Sequence, residues 1–407
     1  MMLLNNRLTG AVTDAAAPPA TALWRSAFRP FFLLGAAYGP LLMVYYVGVT
    51  SGLWPAPAYG GTLRVWHGHE IVFGFAAAVI VGIVLTALPS WAHTEEVDGV
   101  RLQWLAGFWL LGRAALLLPL PAMLTAALDC TLYLALAWML TPQLLRAANR
   151  YYRLLLLVIA GLLAANIIFH TGRAVGDDTM AFLGLRLAVY AIIMLYVLKA
   201  GVLIPVFTGN ALREKQRGEQ PAFLPWLDIL AAATIVALAG ADLGNLPAPA
   251  VGALAALACA VHALRLARWR GWRVADVPLL LVMHLGYAWL IVALGLKACS
   301  EMAWGIADEL AWLHAFTVGA LGMMMIGMMT RVSLRHTGRP LRVPPPLLPA
   351  FVAMFVAALL RVAIALELLG AVWLAASALL WTVAFLLFLG QCGSMLWQPS
   401  LPGRARA

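Results

Sequence analysis

The sequence predicts an all-α, polytopic integral membrane protein of about twelve transmembrane helices with both termini in the cytoplasm. Three observations carry this. Aliphatic, aromatic and cysteine residues make up 64% of the 407 residues and charged residues only 11%, where a water-soluble domain holds about a quarter of charged residues. Apolar runs of roughly 18 to 25 residues, each long enough to cross about 30 Å of hydrocarbon as a helix, recur along the whole chain. The arginines and lysines, finally, fall on alternate connections between those runs.

The first thirty residues are Ala-rich, contain Pro18 and Pro19, and lack the apolar stretch and small-residue cleavage site of a secretory signal. Residues 1–30 therefore read as a cytoplasmic tail, and segment 1 (31–50) as an uncleaved insertion signal. Segment 2 (69–90) opens at Trp66-His67-Gly68-His69-Glu70. Segments 3 (102–119) and 4 (121–141) carry Arg113 and Asp129, and segment 5 (153–172) ends at His170. Segment 6 (180–205) holds Arg186 and Lys199; segments 7 (224–243) and 8 (248–267) form a plain apolar pair, with His262 beside Arg265 and Arg268. His284 lies in segment 9 (276–298), His314 and a methionine run in segment 10 (308–331), and Arg361 in segment 11 (347–369). Segment 12 (371–393) leads to a cytoplasmic tail, 394–407. The span 31–393 is thus one transmembrane domain.

With both ends inside, 20 of the 27 basic residues face the cytoplasm, and the opposite connections keep only Arg64, Arg173 and Lys297. That asymmetry is the positive-inside pattern. It also accounts for the net charge of +10 without a nucleic-acid partner, because the cationic loops lie against an anionic leaflet. The four cysteines form no CxxC pair and no disulfide framework. They read as small buried hydrophobes.

An imidazole inside hydrocarbon needs a partner, so each intramembrane histidine is either interhelical glue or a ligand. His67 and His69 stand at the outer end of segment 2 and His314 roughly 8 Å below the outer surface of segment 10, whereas His284 lies deeper, roughly 12 Å from the inner surface. On a regular helix His67 and His69 point about 200° apart and serve two different centres. Glu70 follows His67 by three residues, either orienting that imidazole or standing solvated or paired with Arg64. Met323, Met324, Met325, Met328 and Met329 offer thioethers for Cu(I) but read better as flexible core filler. Gly319 and Gly322 leave room for a neighbouring helix or a flat macrocycle. Arg113, Arg361 and Lys199 should face the bundle interior, paired with Glu367, Asp129 or helix ends, or holding an anion.

The chain resembles the NnrS family, haem- and copper-containing membrane proteins of the bacterial nitric-oxide response. The resemblance rests on Arg25-Ser-Ala-Phe-Arg-Pro-Phe-Phe32, Trp66-His-Gly-His-Glu70 with Phe73-Gly-Phe75, Gly112-Arg113, and Ile204-Pro-Val-Phe-Thr-Gly-Asn210 ending segment 6. It continues through His284-Leu-Gly-Tyr287, His314-Ala-Phe-Thr-Val-Gly-Ala-Leu-Gly322, Thr330-Arg331 and His336-Thr-Gly-Arg-Pro-Leu341. It implies haem b and copper as cofactors and nitric oxide as ligand or substrate in the bacterial inner membrane. Carried onto matching positions, it implies His67, His69, His284, His314 and, in a cytoplasmic loop, His336 as metal ligands. Of the intramembrane charges, Arg113 and Arg361 are the candidates for holding the propionates of such a cofactor, and Glu70 is the candidate catalytic carboxylate. The sequence departs from the family pattern at Val202, where an arginine is expected and Lys199 stands a turn earlier, and at Arg335, which replaces a glycine.

Removal of nitric oxide, plausible as two-electron reduction to nitrous oxide, is the function this implies. Twelve-helix haem-copper oxidases carry an adjacent His-His pair and a late His-x-His, but the only His-x-His here opens segment 2. The ligand set must differ from theirs, and the electron donor is unknown, with no cytochrome c motif in the chain. Glu70, Glu301, Asp308 and Glu309 either deliver protons or are ordinary outer-loop charges. The competing functions are a non-catalytic nitric-oxide sensor or sequestering protein, and a copper or haem transporter. No motif repeat between the two halves supports transport.

Overall fold

The structure, a computed structural model, describes residues 19–57, 59, 61–302 and 309–402. Among these residues there are twelve long helices and no strand. They are α1 (Phe28–Thr50), α2 (Leu63–Ala92), α3 (Gly99–Leu117), α4 (Ala122–Arg146), α5 (Leu154–Val175) and α6 (Asp178–Glu214). The second half comprises α7 (Pro225–Leu243), α8 (Ala248–Arg268), α9 (Pro278–Glu301), α10 (Glu309–His336), α11 (Leu347–Ala365) and α12 (Trp373–Trp397). Eleven of them are long and apolar enough to cross a membrane. The exception is α3, whose apolar run is diluted by Arg101, Gln103 and Arg113.

Local signals set the helix ends. Thr62 accepts a hydrogen bond from the Val65 amide at the start of α2, and Asp177 accepts from the amides of Thr179 and Met180 at the start of α6, each satisfying an orphan donor of the first turn. Prolines open α7, α8 and α9, where the missing N–H costs nothing. Gly176, at φ +74°, ends α5 in the left-handed conformation that glycine adopts freely. The run Ile204–Asn210 lies inside α6 rather than ending it, because α6 continues to Glu214. Ile204, Pro205, Thr208 and Gly209 are all buried there, and neighbouring helices make an intrahelical proline tolerable in a membrane span.

Burial sorts the helices into two sets. In the most apolar window of α2, α6, α9 and α10, between 61% and 72% of residues are buried, against 39% to 44% in the other helices that qualify as spans. The four are the inner helices, and the rest wrap them in sequential antiparallel neighbours. The α5–α6 pair packs closest, since a Cβ on Gly184 would stand 2.6 Å from the Ala165 carbonyl oxygen. Only a residue without a side chain allows that approach.

The belt closes where α12 packs on α1. Arg29, 2% exposed, donates to the carbonyls of Met395, Leu396 and Gln398 and to the Ser400 hydroxyl. A guanidinium here meets the unsatisfied carbonyls and negative dipole end of the last helix. Phe32 on Phe388, and Phe75 between Trp381 and Phe385, fill the space beneath. The segment before α1 is docked as well, with Ala22 and Leu23 buried. The two ends of the described chain therefore lie on one face of the bundle.

Two inner helices carry a wider turn. Residues Glu70–Ala76 of α2 and Ala315–Leu321 of α10 are π-helical. Each π segment begins directly after a histidine, His69 in α2 and His314 in α10. Such segments are rare and concentrate at functional sites.

Candidate metal centre

The π segment of α2 starts one residue after His69, and the two histidines before it face different surroundings. The His69 ring is fully buried. Its Nδ1 is 2.9 Å from Glu70 Oε1, and its Nε2 is 2.9 Å from Asn166 Oδ1 and 3.2 Å from Asp129 Oδ2. His170, one helical turn after Asn166 on the same face of α5, places Nε2 3.0 Å from Asp129 Oδ2. One ligand atom from each of His69, Asp129 and His170 lies within 4.8 Å of the others. Arg113 joins the group from α3, with one nitrogen 2.5 Å from Glu70 Oε1 and another bonded to Asp129 Oδ1. The Tyr38 hydroxyl of α1 donates to Glu70 Oε2.

This network draws on five helices, and every charge in it is buried. Two carboxylates face one guanidinium, which leaves one negative charge uncompensated while both imidazoles are neutral. Buried charge of that kind is stable only when a cation completes it. A proton on one imidazole or a bound metal ion would do so. The outward-facing nitrogens suit a metal: Nδ1 of His69 meets a carboxylate and Nδ1 of His170 lies 2.6 Å from the Tyr59 hydroxyl. Metal-bound imidazoles use their second nitrogen in this way. Tyr59 belongs to the α1–α2 connection, and burial pushes its hydroxyl up to about 12, so it stays a neutral phenol.

His67 points elsewhere. Its ring packs 4.3 Å from Tyr46, and its Nδ1 is buried with no hydrogen-bond partner. His314 of α10 lies within electrostatic range of His67, Arg64 and Arg361, and Arg361 is likewise felt by His67. The Nδ1 of His314 is 2.7 Å from the Leu310 carbonyl. Donation to that carbonyl fixes the tautomer and leaves Nε2 as the lone-pair nitrogen. Two imidazoles from two inner helices thus lie toward the same end of the bundle, within electrostatic range of each other and of Arg361.

The chain belongs to the NnrS family. The family model, described as NnrS protein, matches residues 22–400, nearly the whole chain. No curated protein matches it.

In this NnrS chain the structure places His69 with Asp129 and His170, while the His67 ring packs on Tyr46 and lies within electrostatic range of His314. His284 stands apart, with Nε2 3.0 Å from Thr208 Oγ1 and Nδ1 buried and unpartnered against Gly271. His336 is the last residue of α10, not a loop residue; its exposed ring lies 5.6 Å from Phe28. Glu70 bonds His69 rather than His67, because Arg113 and Tyr38 hold its carboxylate on the His69 side. Arg113 is committed to Glu70 and Asp129. Gly319 faces the Trp289 ring at 2.6 Å and Gly322 the Met354 sulfur at 2.7 Å from an added Cβ, so these glycines admit neighbouring helices. Of the outer carboxylates, Glu301 pairs with Lys297 and Glu309 with Arg186, while Asp308 lies outside the described residues.

Sequence reasoning did not select Asp129, Asn166 and His170 as a group. The signal was present in Asn166 and His170, polar residues at i and i+4 in an apolar helix. A lone carboxylate in the middle of α4 was the second sign.

Proposed function

We propose that this NnrS chain is a haem- and copper-holding protein of the bacterial inner membrane that binds nitric oxide and reduces it to nitrous oxide during nitrosative stress. The observation that carries the reading is the buried His69, Asp129 and His170 donor set in a chain of this family, and it is supported by His67 and His314, which lie on two inner helices within electrostatic range of each other and of Arg361. That arrangement fits a haem: two neutral imidazoles for the iron, one with an orphaned ring nitrogen, and two guanidiniums for the propionates. The His69, Asp129 and His170 donors fit copper, since mixed imidazole and carboxylate sets suit Cu(II) and a cation balances the charge. Arg113 then acts by holding Glu70 and Asp129 in place. His284 and His336 are further ligand candidates of the family pattern, each away from both groups.

Haem iron held by two imidazoles would supply one-electron exchange, and copper would supply both one-electron exchange and an open position for a diatomic ligand. Joining two nitric oxide molecules to one nitrous oxide and one water takes two electrons and two protons; a separate donor provides the electrons. Glu70 is the residue we assign to proton delivery, because Tyr38, His69 and Arg113 converge on its carboxylate. Hydrogen bonds continue from His69 through Asp129 and His170 to Tyr59 in the connection. The arginine-rich face is the cytoplasmic one on this reading.

Optical spectra and metal analysis of the purified protein test the first half. A Soret band, lost in His67→Ala and His314→Ala, and copper, lost in His170→Ala, are expected. Unchanged spectra in both haem variants would overturn the assignment. Reduced protein given nitric oxide anaerobically should release nitrous oxide over many turnovers. Binding in a one-to-one ratio with no nitrous oxide would replace catalysis by sequestration.

A further inference from the structure

The face of the bundle opposite the arginine-rich one carries an exposed indole that is locked in place. Trp54, on the α1–α2 connection, is 44% exposed, and its ring stacks on Tyr45 of α1 at 6.1 Å with 12° between the planes. Three features hold it there. A Cβ on Gly48 would run into the Trp54 ring, so only glycine leaves α1 a flat seat for the indole. The Tyr45 hydroxyl donates to the Pro55 carbonyl at 2.9 Å and ties the next residue of the connection to the same ring. Gly52, at φ +73°, takes the left-handed conformation that turns the chain after α1.

Behind the indole the rings continue inward. Tyr45 lies 5.3 Å from Trp66 of α2, which is buried and immediately precedes His67. Tyr46, the residue after Tyr45, lies 4.3 Å from the His67 ring. Trp54, Tyr45, Trp66 and Tyr46 thus lead from the surface to His67, each step a ring contact or a single peptide unit. An aromatic anchor at a membrane interface needs only the headgroup level; it needs neither a fitted seat nor a file of rings ending at an imidazole. Delocalised π electrons couple one group to the next far better than saturated side chains or lipid do, so such a file is a path for an electron. The approach is uncharged as well. No Asp, Glu, Lys or Arg stands between Arg29 and Arg64, and Leu53, Pro55 and Ala56, beside the indole in the chain, are exposed. Interface cores are poor in charge and rich in tryptophan and tyrosine, and electron-transfer encounters need little surface.

We propose that Trp54 is the electron entry point of this protein: a soluble one-electron carrier protein docks on the indole, and its electron passes by way of Tyr45, Trp66 and Tyr46 to a haem at His67. The inference rests on the reading of His67 and His314 as haem ligands, and it names the class of donor that reading leaves open. The carrier gives up one electron and the iron at His67 accepts it. The rings start and finish neutral, no proton moves, and no bond is made or broken. Two such transfers furnish the two electrons that joining two nitric oxide molecules consumes.

The test is stopped-flow reduction of the full-length protein, purified with its haem and held in nanodiscs, by two prereduced soluble carriers, an acidic and a basic cytochrome c. Oxidation of the carrier and the shift of the protein's Soret band are followed together. Wild type should be reduced by at least one of the two. Trp54→Leu should be reduced more slowly by about tenfold or more, the lower end of the decades over which association rates differ among mutants of one interface. Trp54→Phe should fall between, and Gly48→Ala, which unseats the indole without removing it, should be slowed as well. Trp272→Leu, which removes an exposed indole of the arginine-rich face, should match wild type. Dithionite, a small reductant that needs no docking, should reduce wild type and Trp54→Leu equally fast. Equal carrier rates in wild type and Trp54→Leu would overturn the proposal. So would a dithionite reaction slowed as much as the carrier reaction, or a wild type that neither carrier reduces. A preparation with no Soret band overturns the haem reading and this proposal with it, whereas a haem protein indifferent to Trp54 overturns this proposal alone.

Discussion

Replacing Arg113 by methionine keeps an unbranched apolar stem and removes the guanidinium that is the fixed cation of the network. Arg113 is 6% exposed and bonds two carboxylates, which are left facing each other across imidazoles when it is gone. Breaking a buried ion pair by deleting one partner costs about 3–5 kcal/mol, mostly because the remaining charge is stranded. Glu70→Gln alone also destabilises, since Arg113 and Tyr38 lose a charged acceptor. Combined, the two changes remove one charge of each sign, so the double variant should be more stable than the sum of the single losses predicts, by about 1–3 kcal/mol. Equilibrium unfolding in mixed micelles, followed by circular dichroism, gives all four corners of the cycle. A loss below about 1 kcal/mol for Arg113→Met, or additivity within about 0.5 kcal/mol, would refute the view that Arg113 is what makes this buried charge tolerable.

Added Cu(II) should raise the melting temperature of metal-depleted wild type and leave Asp129→Asn unmoved; an equal rise in both removes Asp129 from the donor set. Tyr59→Phe should keep copper bound but weaken it by about tenfold, the usual effect of deleting a group that orients a ligand, and unchanged affinity would show that the phenol does not position His170. His284→Ala should leave the Soret band of His67 and His314 in place, and its loss would move the haem toward α9. On the arginine-rich face, Lys215 and Arg217 both pair with exposed Asp276, and their hydrogen bonds hold its carboxyl down to about 2. A depressed carboxyl contributes its stability above the unfolded value near about 4 and loses it as pH falls toward 2. Protease cutting after Lys215 should therefore be slow from neutral pH to about 4, faster below, and fast throughout in Asp276→Asn.

All twelve segments were legible in the sequence, because each needs only an unbroken apolar run and a polar connection. Their ends were less so. The helix α6 outruns its apolar segment by two turns, since Pro205 is held by burial among neighbouring helices, a cause outside its own segment. The two sides of His67 and His69 followed from helical periodicity alone. Glu70 did not: i to i+3 spacing aims it at His67, and only the arrival of Arg113 from α3 and Tyr38 from α1 turns it to His69. Asp129 was hidden for the same reason, as a lone carboxylate in its own helix, and the pair Asn166 and His170 marks a polar stripe without showing what it meets. Their meaning lies in a contact between helices. The π segments carry no composition signal, but the glycine five residues after each histidine, Gly74 and Gly319, is common to both.

The Arg29 clasp bears on how the chain is made. Arg29 enters the membrane region with α1, yet the carbonyls it binds belong to residues 395–398 and the hydroxyl to residue 400. During synthesis the first helix must wait, with its bonds to the last helix unmade and one face uncovered, until that helix has been inserted. Final assembly is therefore a ring-closing step that only a completed chain can take, and a ribosome stalled before α12 leaves a product marked for removal by its own open seam.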